Sequence, residues 1–181
     1  MIGTIFGRKK ISEDKLANVF VNAVLRLTEY GYPTVVAELE EAAEFVTRPQ
    51  FGPGDDELFA MILFAGNLME APKHLPAGLD HRLAQHAYSK FAPLMDTSAA
   101  EMETETIALQ RFMAQINHPS KNTVYAMSKA IFHKYDLFRN QDAYFRELKA
   151  PNPIVLGRVN KLMQFCLWDW AELLEDRKVT S

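Results

Sequence analysis

His74, His81 and His86 fall close together in the chain, with Glu70 and Asp80 beside them. Imidazole and carboxylate are the donors of zinc and di-iron centres, provided they meet within a few ångströms of one ion. Pro72 and Pro76 bound a loop that turns the chain back, so a corner spanning residues 70–86 could gather them. The phase is poor, however. Five residues along a helix turn the side chain by about 140°, so His81 and His86 do not share a face. Neither an HExxH nor the Glu-x-x-His of carboxylate-bridged bundles is present. Solvent-exposed or capping histidines are expected, with no metal and no cofactor; His74, His81, His86 and Glu70 are the only candidate ligand set.

Other chemistry is argued down in the same way. Gly52-Pro53-Gly54-Asp55-Asp56-Glu57 opens like a dinucleotide fingerprint, but Glu57 stands where the third glycine belongs and no strand pattern precedes it. Three acids at a helix start also repel a phosphate, so an acid-capped turn is expected. Glu38, Glu41 and Glu44 form one helical stripe, and Glu101, Glu103 and Glu105 crowd one helix start. Such rows are ordinarily solvated faces, and nothing apolar stands near to raise one carboxyl selectively. No GxSxG occurs. Cys166 has Leu162, Met163, Trp170 and Leu173 as helical neighbours, an apolar setting that raises a thiol pKa and favours a structural cysteine. No catalytic residue is assigned, and the chain reads as more non-enzymatic than enzymatic.

Trp168 and Trp170 are the candidate ligand-binding residues, and with Phe165 and the many methionines they could line a pocket for an apolar ligand. Aromatic and methionine stripes at helical spacing usually mean core. On one continuous helix, though, these two indoles point about 200° apart, so one of them would face a pocket or a partner unless the helix is surrounded.

The elements that would position these groups are helical. Ser12 can cap a first helix carrying Leu16, Val19, Phe20, Ala23, Val24 and Leu27 at three- and four-residue steps. Tyr30-Gly31-Tyr32-Pro33 should stop it, and a second helix should run from about Thr34 to Thr47. After the loop from Arg48 to Gly54, a strongly apolar helix reaches about Glu70 and belongs near the centre. A fourth helix runs from about Asp80 to Pro93. A fifth is capped by Ser98 and ended by Asn117-His118-Pro119. A sixth starts after Ser120, and a short one covers about Gln141 to Lys149. The last, about Ile154 to Asp176, is apolar nearly all round and is expected to be the most buried element, with Leu162, Met163 and Cys166 deep inside.

The predicted fold class is therefore all-α, a single bundle-like domain over residues 1–181 with seven or eight helices packed around a hydrophobic C-terminal helix. Residues 1–11 are the segment expected to be poorly ordered, and Met1 to Phe6 is the one stretch that could pair as a strand. A chain of 181 residues with 48% hydrophobic and 24% charged residues is long enough to bury a core without staples. A single cysteine rules out an intrachain disulfide framework. Net charge is −3, and Arg8-Lys9-Lys10 is the only basic run, so neither nucleic acid nor a membrane is an expected partner. The longest apolar run, Leu58 to Ala65, is far short of a membrane span. A cytoplasmic protein-interaction, adaptor or chaperone-like factor with an unknown protein partner is expected, homo-oligomerisation being left open. Two further readings stand beside it. One is a binding protein with an apolar pocket beside the C-terminal helix. The other is a metal-dependent enzyme using the His74/His81/His86 corner.

Overall fold

The computed structural model describes residues 8–180, and Met1 to Phe6 lies outside them. In chain order the elements are β1 (Lys9–Ser12), α1 (Glu13–Glu41), α2 (Asp55–Glu70), α3 (Leu79–Phe91), α4 (Ala99–Asn117), α5 (Thr123–Lys134), α6 (Ala143–Leu148), α7 (Pro153–Phe165), α8 (Trp170–Asp176) and β2 (Arg177–Thr180). The protein is all-α apart from a two-stranded parallel ribbon, in which Lys9 to Ser12 lie in register with Arg177 to Thr180. Part of the segment expected to be poorly ordered is thus the paired strand β1. Among the described residues no helix is long and apolar enough to cross a membrane.

Local chemistry sets most helix starts. Ser12 accepts a hydrogen bond from the Lys15 amide, and Asp142 and Asn152 cap α6 and α7 in the same manner. At α4, Ser98 and Glu101 form a reciprocal capping box. At α2 no acid caps the helix: the N-cap is Gly54, in a left-handed conformation and without a side-chain cap bond, and the Asp55 carboxylate accepts from the Gly52 amide at 2.7 Å in the turn before it. The sixth helix starts two residues later than Ser120 would place it, because Asn122 supplies the cap.

The expected break at Tyr30-Gly31-Tyr32-Pro33 does not occur. α1 runs straight through it for 29 residues, about 43 Å, and ends at Glu41, before Thr47. Pro33 removes one ladder bond, a local cost of about 3 kcal/mol in a helix interior. Packing on both sides of it offsets that cost. Tyr32 lies against the Phe59 ring, while Val35 and Leu39 are buried. Gly31 sits where a Cβ would come within 3.1 Å of Cys166 Sγ and 3.4 Å of Phe59, so this position brings α1, α2 and α7 into close contact. The Thr34 hydroxyl donates to the Tyr30 carbonyl at 2.9 Å, adding an acceptor contact beside the disrupted turn.

The centre of the core is α2, not the C-terminal segment. Every residue from Ile62 to Leu68 is buried, and the helix packs against α1, α4 and α5. At Gly66 an added Cβ would overlap Met127 Sδ, so the missing side chain lets α2 and α5 approach closely. The expected long terminal helix is two helices. α7 stops at Phe165, and α8 begins at Trp170 under an Asp169 cap. Only Val155, Val159 and Met163 of α7 are buried, so that helix has one inner face and is half exposed.

Candidate functional site

The break between α7 and α8 is held by one buried side chain. Asn67, on α2, donates through Nδ2 to the carbonyls of Leu63 (2.9 Å) and Cys166 (3.0 Å), and its Oδ1 accepts from the Trp168 amide at 2.7 Å. Its own carbonyl accepts from Trp170 Nε1 at 3.1 Å. This clamp takes up backbone groups that a continuous helix would have paired with itself. Trp168 and Trp170 therefore do not point apart. Their rings stack 5.1 Å apart at 11°, and both lie 5.2 Å from Phe20. Trp170 is wholly buried, so the aromatic pair belongs to the core and neither indole lines the apolar groove that forms the candidate site.

That groove lies between α1 and the outer edge of α7. The two helices run antiparallel, since Cys166 meets Gly31 while Arg158, two turns earlier, reaches Glu38 at 3.5 Å and Glu44 at 2.9 Å. The stripe expected to be a solvated acidic face is in part the anchor for Arg158. On α1 the groove is lined by Leu27, Tyr30, Gly31, Thr34 and Val35, which recur at three- and four-residue steps. On α7 it is lined by Leu162, Phe165 and Cys166, and Arg26 stands at the rim. Its volume is about 440 Å³. Phe165 is 81% exposed and Tyr30 73%, large aromatic surfaces for side chains that nothing in the described fold covers. Leu162, expected to be deep, is half-buried on the groove wall, whereas Met163 and Cys166 are buried as expected. Burial pushes the Cys166 thiol up to about 11, so at neutral pH it is an uncharged apolar wall group and no nucleophile.

The histidine corner does not close around an ion. Glu70 is taken up by Lys73 at 2.6 Å and by the Thr123 hydroxyl, with His74 at 3.4 Å. Burial alone would raise the Glu70 carboxyl, but the hydrogen bonds from Lys73 and Thr123 hold it below its ordinary range. His86 instead faces Asp14 of α1 at 3.7 Å, and His81 is exposed on α3. Among the described residues no three His, Cys, Asp or Glu side chains gather to hold a metal.

The local sequence does not mark Tyr30 and Arg26, whereas Phe165 is one of the residues expected beside an apolar pocket. Their signal is the stripe 27, 30, 31, 34 on α1 set against 162, 165, 166 on α7, and it exists only once α1 is known to run unbroken past Pro33. Comparison with protein-family models, with curated proteins and with solved structures gives no match.

Proposed function

We propose that this protein is a non-enzymatic protein-interaction module whose docking surface is the α1–α7 groove. The observation that carries this reading is Phe165, an aromatic ring left 81% exposed at the edge of an apolar groove. Isolated surface apolar residues are ordinary, but aromatic rings flanking a concave apolar strip are what interface hot spots are made of. The shape suits a helix. Two antiparallel helices present stripes at three- and four-residue spacing, and Tyr30 and Thr34 stand exposed along one of them. Arg26 is the one charged side chain on the rim, which favours an amphipathic partner helix with an acidic residue flanking its apolar stripe.

A small apolar ligand in the same groove is the second reading. A volume of about 440 Å³ falls within the range such ligands occupy. Small-ligand sites also use a few convergent polar groups to orient the molecule, and this wall has little beyond Thr34 and the Arg26 guanidinium. The protein partner is therefore preferred.

Photocrosslinking in the native cell tests the choice. A photoreactive side chain at position 165 or 30 should join the protein to one discrete polypeptide, and the same group at Lys121, away from the groove, should not. Equal crosslinking at all three positions, or a small apolar molecule retained in native mass spectra and displaced by Phe165→Ala, would overturn the proposal.

A further inference from the structure

The groove wall contributed by α1 belongs to a longer face of that helix. At about 100° of turn per residue, Arg26, Tyr30, Pro33, Thr34, Ala37 and Glu41 fall within an arc of about 100°. All six are exposed, Tyr30 to 73%. The four in the middle are uncharged. The two at the ends carry opposite charges, about 22 Å apart along the axis. Among the described residues neither Arg26 nor Glu41 takes part in an ion pair, although their neighbours Glu38, Glu40 and Glu44 do.

Resting on the reading of the α1–α7 groove as a docking surface, we infer that its occupant is α1 of a second copy of this chain, antiparallel to the first and related to it by a two-fold axis. An antiparallel two-fold contact sets one end of a face against the other end of the same face in the copy. A face with opposite charges at its two ends is therefore complementary to itself. With Arg26 opposite Glu41 of the second copy, two equivalent ion pairs close the ends of the contact. The same register sets Tyr30 against Ala37, a large side chain over a small one, and Pro33 against Thr34 at the axis. The partner helix that Arg26 favours, with an acid flanking an uncharged stripe, is thus present in the chain itself. Tyr30 and Thr34 also line the groove, so the second α1 lies against Phe165 and covers a ring that is 81% exposed in the single chain. One helix pair flanked by a phenylalanine from each copy is small beside the about 1,200–2,000 Å² of a standard interface, so the association is weak and reversible.

Sedimentation equilibrium of the full chain tests it. The protein should associate reversibly to two copies with a dissociation constant on the order of 10–100 μM. Arg26→Glu alone and Glu41→Arg alone each turn two attractive contacts into two repulsive ones, and each should raise that constant about 10- to 30-fold. Mixed in equal amounts, the two variants restore both ion pairs in a mixed dimer and should associate as the parent does. Arg26→Glu/Glu41→Arg should do so alone. Both positions are exposed, so all three variants should keep the parent's unfolding midpoint. A parent that stays a single chain at about 500 μM, single variants that associate as it does, or a mixture that stays monomeric would each overturn the inference. The photocrosslink separates its failure from that of the groove reading. An adduct of two copies supports both. An adduct with another polypeptide keeps the groove and overturns the pairing of copies, and no adduct from position 30 or 165 overturns both.

Discussion

Asn67 decides how the C-terminal third of the chain is laid out, and its replacement has a definite expected effect. In Asn67→Leu the branched shape is kept in a somewhat larger side chain, while three side-chain hydrogen bonds disappear. Leu63 retains a helical partner for its carbonyl. The Cys166 carbonyl and the Trp168 amide lose theirs in a buried or half-buried setting, and each orphaned group costs about 1–3 kcal/mol. The expected destabilisation is thus about 2–6 kcal/mol, nearer the lower end if water reaches the Trp168 amide, against a total stability of about 5–15 kcal/mol for a domain. Urea unfolding followed by tryptophan fluorescence measures it, and both indoles report from the site itself. Asn67→Asp sharpens the test. A carboxylate there keeps the bond from the Trp168 amide but faces two carbonyl oxygens, so its pKa in the folded state must rise. The folded state then binds more protons than the unfolded one, and the variant's stability should fall as pH rises above about 4, the ordinary range for Asp. A Leu variant costing under about half a kcal/mol, or an Asp variant with the pH profile of the parent, would refute this account of the α7–α8 junction.

Four further outcomes are expected. Met163→Ala, at a fully buried position, should destabilise by about 2–5 kcal/mol, and Leu162→Ala on the groove wall by clearly less; the reverse order in thermal or urea unfolding would mean that α7 is rotated. Phe165→Ser should leave stability within about half a kcal/mol of the parent while abolishing crosslinking through position 30, because so exposed a ring contributes little to the core. Glu70 has a folded pKa below its ordinary 4.5, so its stabilisation is present above that value and is lost as pH falls through the folded pKa; Glu70→Gln should therefore flatten the acid limb of the stability profile. Cys166, buried with a raised pKa, should react with a disulfide reagent only on the timescale of opening, and rapid stoichiometric labelling of the native protein at neutral pH would contradict its placement.

By itself the sequence determined much of what depends on a few neighbouring residues. The caps at Ser12 and Ser98, the limits of α2 and the all-helical class follow from side chains bonding to amides two or three positions away and from apolar spacing along one helix. The raised pKa of Cys166 was also legible, because its neighbours on the same helix are apolar. The tertiary structure decided wherever distant residues compete with a local preference. Gly31 and Pro33 read as a stop, but Cys166 and Phe59 pack against that stretch from distant parts of the chain, and their contacts outweigh one lost ladder bond. Cys166 to Trp170 reads as uninterrupted helix, but Asn67, about a hundred residues earlier, takes up the freed backbone groups and turns both tryptophans inward. The groove inherits both decisions. It needs α1 to continue past Pro33 and α7 to stop at Phe165, and neither event is encoded by the residues where it happens.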